Sequence, residues 1–222
     1  MCGRFTLTAT PEALATLFEL PDAPALPPRY NIAPTQPVAV VRMAPHDGHR
    51  EVAMLRWGLI PGWAKDLSIG SRLINARSET VAEKPAFRAA LKRRRCLVPA
   101  SGFYEWRAEG GRKQPYYFYA ADGAPLAIAG LWEHWEGPEG DVVESCTLLT
   151  TDANDLVRPI HDRMPVILPR AAHADWLDPD IGQPGPVLAL LAPYPAEAMA
   201  AHAVGALVNA VRNDGPGCVA PV

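Results

Sequence analysis

The chain has 222 residues, 49% of them hydrophobic and 20% charged, with a formal net charge of −3. This size and apolar content suit one globular domain, 1–222, with a sizeable core, and the slight acidity excludes a nucleic-acid binder that works by net charge alone. The charge is uneven: from residue 171 onward Asp175, Asp178, Asp180, Glu197 and Asp214 face Arg212 alone, so the preceding part carries a small positive excess and has room for a local basic face.

In chain order, Thr10-Pro11 followed by Glu12, Leu14, Leu17 and Phe18 predicts an amphipathic helix with Thr10 as N-cap and Pro11 at its first position. Residues 37–43 and 51–60 read as strands joined by the polar loop Pro45-His46-Asp47-Gly48-His49. Ser78 to Lys84 and Pro85 to Arg94 read as two short helices divided at Pro85. Strands are then expected at 96–100, 104–107, 115–120, 126–132, 146–150 and 164–168, each short, β-branched or aromatic, and bounded by Gly, Pro or Asp. The tail reads as helices near 171–176 and 196–203 and a last strand over 207–211. Strands in the middle with helices at the flanks predict an α+β fold, a single compact domain with a β-rich core flanked by short helices, and not a βαβ array.

No dinucleotide-binding, P-loop, zinc-protease or hydrolase-elbow motif is present, and neither cofactor nor metal is expected. Cys2, Cys96, Cys146 and Cys218 are widely spaced without a CxxC pair, which favours thiols over disulfides or a zinc site. The start lacks a secretory apolar segment, and no apolar run approaches the roughly 20 residues of a membrane span, so a cytoplasmic protein without membrane contact is expected.

Several residues have side chains suited to chemistry. If Met1 is removed, Cys2 presents an α-amine and a thiol on one residue. Both titrate near neutrality, at about 8 and about 8.5. Such a pair closes on an aldehyde as an imine and then as a five-membered thiazolidine, the second attack gaining from proximity; the plain alternative is an inert buried thiol. Glu105, between Tyr104 and Trp106, stands where apolar neighbours would raise its pKa for proton transfer, or else on the outer face of an alternating strand. His161 and Arg163 lie on a loop entering a strand, one suited to proton shuttling and the other to phosphate binding, or both simply solvated. Asn75 offers a donor and an acceptor for a sugar oxygen and Arg77 a fork for phosphate, unless both only build a turn. Trp57 and Trp63, around Gly and Pro with Arg56 alongside, are able to stack on bases, although tryptophan is more often core.

Taken together, Met1-Cys2-Gly3-Arg4-Phe5, Arg29-Tyr30-Asn31-Ile32-Ala33-Pro34, Arg56-Trp57-Gly58-Leu59-Ile60-Pro61, Asn75-Ala76-Arg77-Ser78-Glu79, Gly102-Phe103-Tyr104-Glu105-Trp106 and His161-Asp162-Arg163-Met164-Pro165 resemble, in order, the SOS response-associated peptidase (SRAP) family, whose members shield abasic sites in single-stranded DNA. The resemblance implies that Cys2 forms the thiazolidine with the deoxyribose aldehyde. Asn75 would contact the opened sugar, Glu105 would act as general acid/base, and His161 would assist it. It implies phosphate contacts for Arg4, Arg77 and Arg163, an aromatic wedge that includes Trp57, and a place at the site for Thr150. It also implies a partner of single-stranded DNA or a single-strand/double-strand junction. A monomer, associated with the nucleoid when bound to DNA, is expected.

The family name keeps a second function open, a thiol peptidase with Cys2 as nucleophile and His161 as base, self-removal of Met1 being its weak form. A third is a non-covalent reader of modified or single-stranded DNA that uses Trp57, Arg4 and Arg77.

Overall fold

The computed structural model describes residues 2–45 and 48–222. Met1, and the His46-Asp47 part of the expected polar loop, lie outside the described residues. Among the described residues the strands are β1 (Phe5–Leu7), β2 (Arg29–Ile32), β3 (Pro37–Met43), β4 (Arg50–Trp57), β5 (Asn75–Arg77), β6 (Arg95–Ala100), β7 (Gly102–Glu109), β8 (Arg112–Ala120), β9 (Leu126–Glu136), β10 (Val142–Asp152), β11 (Arg163–Pro165) and β12 (Met199–Ala203). The α-helices are short: α1 (Pro11–Phe18), α2 (Arg88–Arg93), α3 (His173–Leu177) and α4 (Pro184–Leu188). The fold is α+β with a β-rich core, as expected, and no helix among the described residues is long and apolar enough to cross a membrane.

Strands β10, β4, β3, β6 and β9 follow one another side by side, and β9 returns to β10, so the sheet closes into a five-stranded barrel. Each contact is antiparallel except β4 with β10, which run parallel through Ser145↔Arg56 and Cys146↔Trp57. Strand β6 is buried along its whole length, and Val40, Val41, Leu97, Val98, Ile128 and Leu148 are wholly enclosed. Burial of this kind, at about 25 cal/mol per Å² of apolar surface, is the main favourable term in the fold.

A second, antiparallel sheet runs β12-β8-β7-β1-β2. It draws the start of the chain into the structure: Phe5 pairs with Ile32 on one side and Phe103 on the other, and Tyr104 N donates to Arg4 O at 3.0 Å. The Phe5 ring meets Trp57 of the barrel edge-on, with centroids 5.2 Å apart, which couples the two sheets. Cys2, three residues upstream of β1, is thereby held at their junction.

Helix α1 forms as expected, with the Thr10 hydroxyl accepting from Ala13 N and Leu14 and Phe18 buried. Other expectations need correction. Ser78 to Lys84 is a run of turns closed by short-range bonds such as Thr80 N to Arg77 O and Glu83 N to Thr80 O; regular helix begins only at Arg88. The expected helix at 196–203 is a single 3-10 turn followed by β12, whose backbone pairs with β8 from Met199↔Ala120 to Ala203↔Tyr116. An open sheet edge outweighs the helix preference of an Ala-rich segment. The expected strand at 207–211 is instead a 3-10 turn over Ala206–Asn209, its carbonyls taken by side chains and not by a neighbouring strand.

At the start of β7, Gly102 lies directly under β8: a Cβ there would sit 2.4 Å from Phe118 O and 2.5 Å from the Tyr117 ring. Neither is the loose end of a flexible chain. Gly102→Ala is therefore expected to lower folding stability by at least about 2 kcal/mol, as overpacking against backbone does, measured by urea unfolding. A loss of a few tenths would show that β7 and β8 part easily there.

Candidate active site

The Cys2 side chain is completely buried, its thiol 3.9 Å from Arg4 O. Its carbonyl accepts from Asn75 Nδ2 at 2.7 Å. Asn75 is carried by β5, which runs parallel beside β10 (Leu148↔Asn75, Thr150↔Arg77). Alternation along β5 turns Ala76 into the core and leaves Asn75 and Arg77 on the opposite face. Asn75 Oδ1 is buried with no hydrogen-bond partner among the described residues. An unused acceptor there is costly unless something else meets it.

Glu105 comes from the other sheet, on β7 opposite Tyr116, and is 3% exposed. Burial pushes its carboxyl up to about 7, with Asp162 adding to the rise. The group is thus divided between acid and base near neutral pH, the condition for proton transfer. Glu105 also acts on Cys2: burial, and next the Glu105 carboxylate, push the thiol up to about 12. Cys2 in the unprocessed chain is therefore a protonated, enclosed thiol.

His161 precedes β11, and its Nδ1 accepts from Arg163 N at 2.9 Å. Asp162 Oδ1 also lies 2.9 Å from Nδ1, an ion pair only if the ring is protonated. Burial lowers the imidazole pKa, so we take the ring as neutral with its proton on Nε2.

Two cavities adjoin these residues. One, of about 560 Å³, is lined by Asn75 and Arg77 with Trp63, Leu73, Thr80, Lys84, Pro85, Ala86 and Phe87. The other, of about 400 Å³, is lined by Glu105 and His161 with Arg4, Trp106, Lys113 and Asn209. Cys2 ties them together, bonded to Asn75 of the first and electrostatically coupled to Glu105 of the second.

Three residues expected at the site or on DNA are placed otherwise. Trp57 is fully enclosed, its ring against Phe5 and its Nε1 donating to Ile74 O at 2.8 Å, so it is core and offers no face to a base. Gly58 follows with φ +124, where an added Cβ would lie 2.6 Å from Gly70 O; past this bend Trp63 emerges 61% exposed. Thr150 is enclosed behind β5, its hydroxyl donating to Ala76 O at 3.4 Å. Arg163 Nη1 donates to Glu79 and Asp152 and Nη2 to Glu79 and Thr150 O, so this guanidinium braces β11 against β10 instead of facing outward. Arg77, in contrast, is exposed, and Arg4 sits in the second cavity.

Sequence reasoning missed the role of the chain's end. Asn31, fully buried, accepts from Arg4 Nη1 at 2.6 Å and donates to the carbonyls of Val208, Ala210 and Asn213. Arg4 Nη1 also donates to Val208 O, and Asp214 accepts from the backbone nitrogens of Tyr30 and Asn31. Asn209 Oδ1 accepts from Trp106 Nε1 at 2.8 Å at the cavity wall. The signal available beforehand was the polar cluster Asn209 to Asp214 in an otherwise apolar tail.

A closed barrel joined to a second sheet, with the chain's start drawn to a buried carboxyl, an imidazole and an amide, describes a protein equipped for acid–base chemistry at its own N-terminal residues. The chain belongs to the SOS response associated peptidase (SRAP) family, whose model matches residues 1–211. It is 43% identical to the abasic site processing protein YoqW of Bacillus subtilis, over 97% of each chain. It is 32% identical to the abasic site processing protein YedK of Escherichia coli over the full length of both. It is 35% identical to the abasic site processing protein HMCES of Xenopus tropicalis, over 90% of this chain and 68% of that one. A crystal structure of a Bacteroides thetaiotaomicron protein superposes over the full length of both chains with a TM-score of 0.88 at 28% identity.

The Glu105 environment has a measurable consequence. A carboxyl raised from 4.5 to about 7 in the fold binds more protons there than in the unfolded chain, so its contribution to stability falls as pH rises through that interval. Relative to wild type, Glu105→Gln is expected to gain stability between pH 4.5 and 8, by at most about 3 kcal/mol, measured by urea unfolding at several pH values. A difference that does not move with pH would mean that Glu105 titrates in the fold as it does in the unfolded chain.

Proposed function

We propose that this chain processes abasic sites in DNA by covalent capture, with Cys2 as the capturing residue after removal of Met1. The observation that carries this reading is that Cys2, hydrogen-bonded through its carbonyl to Asn75, lies within electrostatic reach of Glu105, whose buried carboxyl is raised to about 7. The names of the relatives supply the substrate class.

The Cys2 amine attacks the aldehyde carbon of the ring-opened sugar and gives a carbinolamine. Dehydration needs an acid at the departing hydroxyl, and Glu105 donates that proton as water leaves and the imine forms. The thiol then adds to the imine carbon while its proton passes to the imine nitrogen, closing the thiazolidine. The net change is loss of one water. Asn75 Oδ1 accepts from a sugar hydroxyl, which fits its lack of a partner among the described residues. His161, neutral and bordering the same cavity, relays protons to and from Glu105.

Arg77 and the exposed Trp63 border the first cavity and suit a phosphate and an unpaired base, which supports single-stranded DNA, including the single-stranded arm of a junction, as the partner. The peptidase reading needs a thiolate, whereas burial and the Glu105 carboxylate both push this thiol the other way.

The test is the intact mass of the mature protein after mixing with single-stranded DNA that carries one abasic site. An adduct equal to the sum less one water is expected, absent with Cys2→Ala and with undamaged DNA. No adduct from protein whose N-terminus is confirmed as Cys2 would sink the reading. Arg77→Ala is expected to weaken DNA binding and to lower the slope of log K against log salt by roughly 0.7, the value for one phosphate contact on a single strand; an unchanged slope would remove Arg77 from the phosphate contacts.

A further inference from the structure

Arg4 and Glu105 border one cavity, yet the Arg4 guanidinium is committed elsewhere. Both hydrogens of its Nη1 are taken, by Asn31 Oδ1 at 2.6 Å and by Val208 O at 2.7 Å, and the group lies 5.8 Å from the centroid of the Trp106 ring. A planar guanidinium pinned by two bonds is not free to turn. Its Nε is buried with no partner among the described residues, so it has a donor to spare. An arginine with a spare donor beside a buried carboxyl ordinarily moves to pair with it, and such a pair holds the carboxyl ionised. Here burial leads the causes that raise Glu105 and Asp162 adds to it, while Arg4 is not among the charges that act on it.

The groups that pin Arg4 are themselves held. Asn31, fully buried, donates Nδ2 to the carbonyls of Val208, Ala210 and Asn213, which fixes the tail and sets Val208 O before the guanidinium. Asp214 Oδ1 accepts from Tyr30 N and Asn31 N, and its Oδ2 from Arg29 Nε at 3.0 Å. Trp106 Nε1 donates to Asn209 Oδ1 of the same tail, which steadies the ring behind Arg4. We propose that Asn31 and Asp214 are positioning residues of the capture site: through the tail they hold the Arg4 guanidinium off Glu105, so that Glu105 remains a proton donor. As a role in catalysis, this rests on the reading that Cys2 captures the aldehyde with Glu105 as the acid. It adds that the acid is protected from its nearest arginine by a clasp built from the far end of the chain. The other titratable or charged groups around Glu105 are Lys113, His161, Asp162 and Cys2, with its amine in the mature protein. Tyr116 lies opposite it on β8, and Arg107, two residues on, is paired with Glu109.

The experiment is a carboxyl carbon-13 NMR titration of the mature protein without DNA, the Glu105 signal being the one absent from Glu105→Gln. Asn31→Ala and Asp214→Ala are expected to lower the Glu105 midpoint by about one pH unit or more, as an approaching guanidinium does. Asp214→Asn keeps an oxygen for the Tyr30 and Asn31 nitrogens and is expected to stay with wild type. Adding Arg4→Gln to Asp214→Ala is expected to bring the midpoint back. In parallel, capture of an abasic site in single-stranded DNA is timed at saturating DNA across pH. Asp214→Ala is expected to be slower at pH 7.5 by up to about tenfold, the loss of acid that one pH unit brings, with the defect fading toward pH 5.5. A variant that merely folded less well would lose the same fraction at every pH.

A Glu105 midpoint unmoved by both substitutions would overturn the clasp. So would a fall that Arg4→Gln does not reverse, because water and not the guanidinium would then have reached the carboxyl. If Asn31→Ala does not fold, Asp214→Ala decides alone, since Asp214 lies at the surface. Absence of any adduct with wild type is a separate result: it removes the capture reading, while the titration still decides whether the clasp holds Arg4 off Glu105.

Discussion

Strand β10 sets the frame for everything else. Its early residues pair with β9, Ser145 and Cys146 also meet β4, Leu148 to Thr150 run beside β5, and Thr150 to Asp152 pair with β11. One strand therefore closes the barrel and also carries the two short segments that bear Asn75, Arg77 and Arg163. A three-residue strand such as β5 has too few hydrogen bonds to hold itself. It acquires a fixed direction only because β10 supplies the ladder, and with that direction comes the placement of Asn75 against the Cys2 carbonyl.

The second sheet meets this frame from the other side and delivers Glu105. Bringing a carboxyl to a nearly enclosed position costs free energy when it is charged, and the group responds by keeping its proton to higher pH. The same enclosure, with the Glu105 charge beside it, holds the Cys2 thiol protonated in the unprocessed chain. One physical cause thus gives a poised acid and a silent thiol. In the proposed mechanism the amine acts first and the thiol second, an order for which this arrangement is suited.

A polar knot at the chain's end completes the site. Asn31 spends its amide hydrogens on three carbonyls of the tail and its oxygen on Arg4, while Asp214 caps the backbone of Tyr30 and Asn31. Buried polar groups tolerate few alternatives once each donor and acceptor is matched. The tail is thereby locked over the second cavity without a strand or a long helix to hold it, and residues more than 200 positions apart, Arg4 and Val208, share a hydrogen bond.

The sequence by itself determined the α+β class, the strands of the barrel, helix α1 with its Thr10 cap, and the residue types of the site. These are local facts of alternation, capping and turn chemistry, and of chemically distinctive side chains in recognisable motifs. The tertiary structure alone decided which of those side chains face the cleft. Trp57 and Trp63 are six residues apart in one motif, yet one is sealed in the core and the other exposed, because Gly58 bends the chain between them. Arg77 and Arg163 are the same residue type, yet one is open to solvent and the other is consumed by Glu79, far from it in sequence, and by Asp152 and Thr150 O of the paired strand β10. The tail at 199–209 took a strand and a 3-10 turn where its composition predicted a helix and then a strand, since β8 offered an open edge and Asn31 took the carbonyls. Such outcomes depend on which distant backbone and side-chain groups are left unpaired, a quantity that only the assembled fold defines.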